Sequence, residues 1–202
     1  MDSTFWDGRY EGPGYCYGTE PNDFLVAQAG QLRTGMRALA VGDGEGRNGV
    51  WLAQQGLDVL AVDYSAQGLR KTRALAAARG VRLTTEHADL ASWNWPESAF
   101  DVVAALFVHL PPAVRARVHH AMLAALKPGG LLILEAFHPA QLQLSSGGPP
   151  AAELLYTQAL LAADFTRAGD LRLIETRREL AEGTGHRGPA AVVQLLARRA
   201  TR

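Results

Sequence analysis

The chain has one cysteine, two lysines and no long apolar run, and it carries no net charge. Cys16 stands alone, so an internal disulfide framework is excluded, and this usage fits a reducing compartment. No 18-residue apolar stretch is present to cross a membrane. Residues 1–24, MDSTFWDGRYEGPGYCYGTEPNDF, lack the charged and apolar regions of a secretory signal, so a cytoplasmic protein is expected. The 20 basic and 20 acidic residues are spread along the chain. That spread excludes a basic stripe for nucleic acid and an acidic scaffold tail. No metal is called for. The basic residues are nearly all arginine, with only Lys71 and Lys127 as exceptions.

What is present is a 202-residue chain of 48% hydrophobic content, enough for one domain with a sizeable core. Strand-like and helix-like runs alternate from about Gln31 to Phe137. Strands are expected at 36–41 (MRALAV), 57–63 (LDVLAVD), 81–87 (VRLTTEH), 100–107 (FDVVAALF) and 131–137 (LLILEAF). Helices are expected at 46–55, at 66–79, and from Pro111-Pro112 to about Leu126. This βαβαβ alternation predicts a parallel sheet with helices on both faces.

Beyond Phe137 a Gly/Pro-rich loop (HPAQLQLSSGGPP) precedes an expected helix at 151–165. Two last strands, 170–180 and about 190–199, flank the turn-rich AEGTGHRGP, and so short a separation demands an antiparallel pair. The predicted fold is α/β and Rossmann-like: a doubly wound, mostly parallel seven-stranded sheet with an antiparallel C-terminal hairpin. The whole of 1–202 reads as one domain, with a lid or tail at 1–23, a binding core at 36–137, and a C-terminal helix and hairpin at 138–202. The hairpin leaves an edge strand, so monomer and homodimer both stay open.

The segment Ala40–Asn48, AVGDGEGRN, places Gly42, Gly44 and Gly46 at alternate positions after the first strand. No Gly-Lys-Ser/Thr follows, which excludes a P-loop. The G-x-G-x-x-G dinucleotide fingerprint fails because its third glycine falls on Arg47. The spacing suits a flat, flexible ligand without a phosphate. Asp63 ends the second strand, 21 residues after Gly42, where doubly wound folds put a carboxylate on ribose hydroxyls; a strand-end cap is the alternative. Asp89 either meets an exocyclic amine or caps a turn.

Taken in order, ALAVGDGEGRN, VLAVDYS, HADL, FDVVAALFVHLP and LKPGGLLILEAF resemble class I S-adenosylmethionine-dependent methyltransferases over residues 37–137. With the flanks WDGRY, YGTEPNDFL and EGTGHRGPAAVVQLLA, the chain is similar to the small bacterial tellurite-resistance-type branch. The resemblance implies S-adenosylmethionine as cofactor and methyl transfer to a small acceptor such as a chalcogen oxyanion, a thiol or a small metabolite. One departure stands out. The first motif usually has an acid two residues before its first glycine, and here that residue is Ala40, while Asp43 lies between the first two glycines. A cofactor-holding but inactive paralogue is therefore one alternative, and a nicotinamide-dependent oxidoreductase is another.

By the same resemblance Gly42, Gly44 and Gly46 line the methionine and sugar, Asp43 takes a polar contact with the methionine amino group or an ordered water, and Arg47 either pairs with the carboxylate or is an exposed helix-start arginine. Asp63 holds the ribose, Tyr64 and Leu90 flank the adenine, Asp89 meets its amine, and Phe107 lies near the methyl group. His109, His186 and Arg187 are the candidate catalytic residues, the last two placed in the hairpin loop. Trp6, Tyr10, Tyr17 and His138 are assigned to the lid or the substrate mouth. Cys16, with no histidine nearby in sequence, is read as packing.

Overall fold

The computed structural model describes residues 3–201. Seven strands form one sheet: β1 (Arg37–Val41), β2 (Asp58–Asp63), β3 (Thr84–His87), β4 (Phe100–Leu106), β5 (Leu126–Phe137), β6 (Ala168–Glu182) and β7 (His186–Arg199). Their order across the sheet is β3-β2-β1-β4-β5-β7-β6. The first five pair in parallel, and β7 runs antiparallel to both β5 and β6. The expected seven-stranded sheet and its terminal hairpin are both present. Successive strands run outward from β1 in one direction and from β4 in the other. That reversal leaves a crevice at the carboxyl ends of β1 and β4, where ligands bind in such sheets.

The helices are α1 (Ser3–Arg9), α2 (Asp23–Val26), α3 (Arg47–Gln54), α4 (Ala66–Ala78), α5 (Pro112–Ala125) and α6 (Gln158–Asp164). Side chains of β1 alternate between the two sheet faces. Leu39 and Val41 join Met122 and Leu123 of α5 and Phe165 in one cluster, while Ala38 and Ala40 join Leu52 and Ala53 of α3 in another. Both faces are thus covered, which is why the inner strands read as continuous apolar runs. No helix among the described residues is long and apolar enough to cross a membrane.

Several boundaries differ from expectation, among them β5, which starts at Leu126 and not at residue 131. The strand expected at 81–87 is ordered as a strand only over Thr84–His87. The helix expected over 151–165 is a short 3-10 turn at Ala152–Leu154 followed by α6, whose N-cap Thr157 accepts from the Leu160 N–H. The hairpin strands are longer than read, so the turn-rich segment shrinks to residues 183–185. His186 and Arg187 therefore open β7 instead of lying in a loop. Strand alternation then sends them to opposite sides, His186 buried and Arg187 exposed.

Candidate functional site

The glycine loop leaves β1 and turns back on α3. Gly42, Gly44 and Gly46 all have left-handed φ angles, 58°, 58° and 94°. The first two line the cavity, but Gly46 does not. A Cβ on Gly46 would stand 2.7 Å from the Thr72 Cα, so this glycine serves the close packing of α3 on α4 and not the ligand. Gly44 is different, since a Cβ there would meet the Tyr10 hydroxyl at 2.7 Å. The N-terminal segment closes onto the loop at that point.

Asp63, 7% exposed, fixes the loop from the end of β2. Its Oδ2 accepts from Gly44 N–H at 2.7 Å and its Oδ1 from Ser65 N–H at 2.8 Å. The capping and ligand readings of Asp63 are compatible, because each oxygen keeps a lone pair free. Burial raises its pKa, and the backbone N–H groups of Ser65 and Gly44 oppose the rise. Asp89 accepts from Ala91 N–H at 2.9 Å, a turn contact, and it also lines the cavity beside Leu90 and Tyr64.

These groups surround one cleft of about 550 Å³, which takes in Trp6, Tyr10 and Tyr17 from the N-terminus, Phe107 and His109 after β4, and His186. Phe107 has φ 58°, a strained conformation for a bulky residue. Its N–H is tied to the Glu135 carbonyl at 2.7 Å, and its ring lies 4.5 Å from Phe137 and 4.6 Å from His186. Tyr17 packs on the other side of His186 at 4.4 Å, so the imidazole is boxed by three aromatic rings.

Residues 3–21 are fastened to the body of the protein. Asp7 accepts from Ser65 Oγ at 2.5 Å and from Gln67 N–H at 3.0 Å. Glu45 accepts from Cys16 N–H at 2.7 Å and pairs with Lys71 at 2.8 Å. Gly185 N–H donates to the Cys16 carbonyl at 2.8 Å. Trp6, Tyr10 and Tyr17 of this segment reach the cleft. Cys16 sits half-buried within the segment, as packing.

Behind the cleft lies a buried charge network that sequence reading missed. Glu135, fully buried in β5, accepts from Arg178 at 2.7 and 3.0 Å, from Asn22 at 2.6 Å and from Gln194 at 2.7 Å. Glu182 accepts from Arg178 at 2.9 Å and Arg47 at 2.8 Å, and takes His186 Nδ1 at 3.3 Å. Burial opposes ionisation of Glu182, yet His186, Arg47 and Arg178 together hold its carboxyl down at about 2. Burial also lowers the His186 pKa, against the pull of Glu182, so the imidazole is neutral at pH 7. A glutamate inside the apolar run LLILEAF was the available signal, because a buried acid requires partners.

Arg47 is 6% exposed, lines the cleft, and has one guanidinium nitrogen on Glu182. Its other terminal nitrogen, Nη1, is buried without a hydrogen-bond partner.

Besides Gly46, three residues assigned to the site from sequence are placed differently. His109 donates from Nδ1 to the Leu154 carbonyl at 2.7 Å and accepts from Phe137 N–H at 3.3 Å, so both nitrogens are engaged by backbone. Burial pushes its pKa to about 4. It is a structural pin. His138 caps a 3-10 turn, accepting from Ala140 N–H at 3.1 Å, and lies outside the cleft. Arg187 is exposed on the far side of β7 and does not line the cleft either.

Residues 38–130 match the profile of a methyltransferase domain. A protein-L-isoaspartate O-methyltransferase of Methylorubrum extorquens (strain PA1) is 32% identical over 132 residues, 65% of this chain and 50% of that protein. The chain thus spans half the length of the curated relative it matches. TehB from Haemophilus influenzae superposes over 98% of this chain and 66% of its own, with a TM-score of 0.72 and 18% identity. A structure described as a SAM-dependent methyltransferase from Methanosarcina mazei covers 91% of this chain and 100% of its own, with a TM-score of 0.68 and 19% identity. These structures share the fold.

Proposed function

We propose that this chain, whose residues 38–130 match a methyltransferase domain, transfers a methyl group from S-adenosylmethionine to a small-molecule acceptor. The observation that carries the reading is the cleft that the glycine loop, Arg47, Asp63 and Asp89 line together. The residues fit the cofactor. Arg47 suits its carboxylate, Asp63 its ribose hydroxyls, and Tyr64, Leu90 and Asp89 its adenine. The bound cofactor supplies an electrophilic methyl group on a sulfonium.

The chain's own part is alignment, exclusion of water and proton acceptance. Trp6, Tyr10 and Tyr17 cover the cleft and keep water out of it. His186 is the proton-accepting group: Glu182 holds Nδ1, and Nε2 is the nitrogen that takes the proton. A neutral imidazole walled by Phe107, Phe137 and Tyr17 suits a compact acceptor that sheds a proton as it is methylated. The finer reading, a tellurite-resistance-type enzyme, rests on the fold shared with TehB and on His186 in the cleft. Arg187 is withdrawn from the site.

The test is production of S-adenosylhomocysteine by the purified protein with selenite, tellurite, thiols and small phenols, compared with His186→Ala. Turnover with at least one acceptor, reduced about 10²-fold or more in the variant at unchanged cofactor affinity, supports the reading. Equal turnover by the variant contradicts the role of His186, and no turnover with any acceptor contradicts the activity.

A further inference from the structure

Asp43 is a buried acid whose partners do not balance it. Its two oxygens accept from the same Gly49 N–H in the first turn of α3, at 3.0 and 3.1 Å. A Cβ built on Gly49 would stand 2.3 Å from Asp43 Oδ2 and 3.4 Å from the Ala40 Cβ. The carboxylate therefore reaches back from the loop into the space beside Ala40, itself 1% exposed in β1. Asp43 is also one of the residues that line the cleft.

The charged and titratable groups around it leave it short of positive charge. Asp63, at the end of β2, adds a like charge, and Arg47 on α3 is already engaged by Glu182. Tyr10, from the covering segment, is a neutral phenol held un-ionised by burial and by the Asp63 charge. Glu45, the remaining acid of the loop, is neutralised by Lys71. An incoming cation is what this cluster lacks.

We propose that Asp43 receives the ammonium end of the cofactor from the space beside Ala40, in place of an acid on the strand, and gives up its own proton when the cofactor binds. This rests on the methyltransferase reading above. Burial raises Asp43 to about 7, with Asp63 adding to the rise and the Gly49 and Asn48 N–H groups and Arg47 opposing it. Below neutrality the carboxyl is protonated and cannot pair with the ammonium, so affinity falls as pH falls and is complete above pH 8.

Two probes separate this effect from the rest of the site. S-Adenosylhomocysteine carries the ammonium end, whereas 5′-methylthioadenosine keeps the adenine and the ribose that faces Asp63 but lacks the amino-acid end. Both are titrated calorimetrically into the full chain and into Asp43→Asn between pH 6 and 8, with melting curves to show that the variant folds. The wild type binds S-adenosylhomocysteine about tenfold more tightly at pH 8 than at pH 6, beyond any change for methylthioadenosine. Asp43→Asn binds S-adenosylhomocysteine at least tenfold more weakly at pH 8, without that extra pH dependence, and binds methylthioadenosine as the wild type does. Adding Ala40→Asp to Asp43→Asn restores the affinity. Equal weakening of both ligands in Asp43→Asn, or no weakening of either, overturns the proposal while the cofactor site stands. A wild type that binds neither ligand removes the cofactor reading, and this proposal with it.

Discussion

Replacing Glu182 by glutamine tests the network that holds His186 and Arg47 at the cleft. The side chain is 7% exposed, and its carboxylate takes hydrogen bonds from Arg47, Arg178, Asn22 and His186. Its pKa falls from 4.5 to about 2 on folding. At about 1.36 kcal/mol per pKa unit, the charged carboxylate contributes on the order of 3 kcal/mol. The low end of the range for breaking a buried pair, about 3–5 kcal/mol, agrees, because Arg178 keeps Glu135 as a partner. In a domain of this size that loss lowers the melting temperature by roughly 6–12 °C. Since the folded pKa is depressed, the contribution is fully present above about 4.5 and disappears as pH falls through about 2. Urea unfolding of wild type and Glu182→Gln at pH 7 reads the gap directly, and repetition at descending pH follows its closure. A gap under about 1 kcal/mol at pH 7, or one that ignores pH, refutes the reasoning that the network is net stabilising.

His109→Gln releases the Leu154 carbonyl and the Phe137 N–H, and denaturant unfolding should show a loss of about 2–4 kcal/mol with turnover per folded molecule little changed. A large fall in turnover at unchanged stability would restore His109 as a catalytic residue. Gly46→Ala forces a Cβ onto Thr72 at a φ of 94°, and its urea midpoint should fall by the equivalent of roughly 2–5 kcal/mol. Arg187→Ala, on the exposed side of β7, should stay within about 0.5 kcal/mol of the wild type and keep its turnover.

The parallel core was legible because strands buried on both faces are written as unbroken apolar runs, FDVVAALF and LLILEAF being clear cases. The loop and Asp63 were legible because strand ends at a fixed separation mark the crevice of such sheets. What stayed hidden depends on phase and on distance in the chain. Two extra residues of β6 and four of β7 convert a loop into strand, and only that register separates His186 from Arg187. The Glu135–Arg178 pair joins residues 43 apart, and Asn22 reaches Glu135 from 113 residues away, so no local pattern carries them. His109 stands at a ligand-binding edge and yet is pinned by backbone, a distinction visible only once Leu154 folds over it.

The central claim is that the cleft between the glycine loop, Asp63 and the aromatic cover is an S-adenosylmethionine site. Isothermal titration of the full chain with S-adenosylmethionine, paired with a melting curve at saturating ligand, tests it most directly. The account predicts one site per chain with micromolar affinity. It also predicts a rise in melting temperature equivalent to about 2.7 kcal/mol at a hundredfold excess over Kd. No binding heat and no shift at millimolar ligand would contradict it.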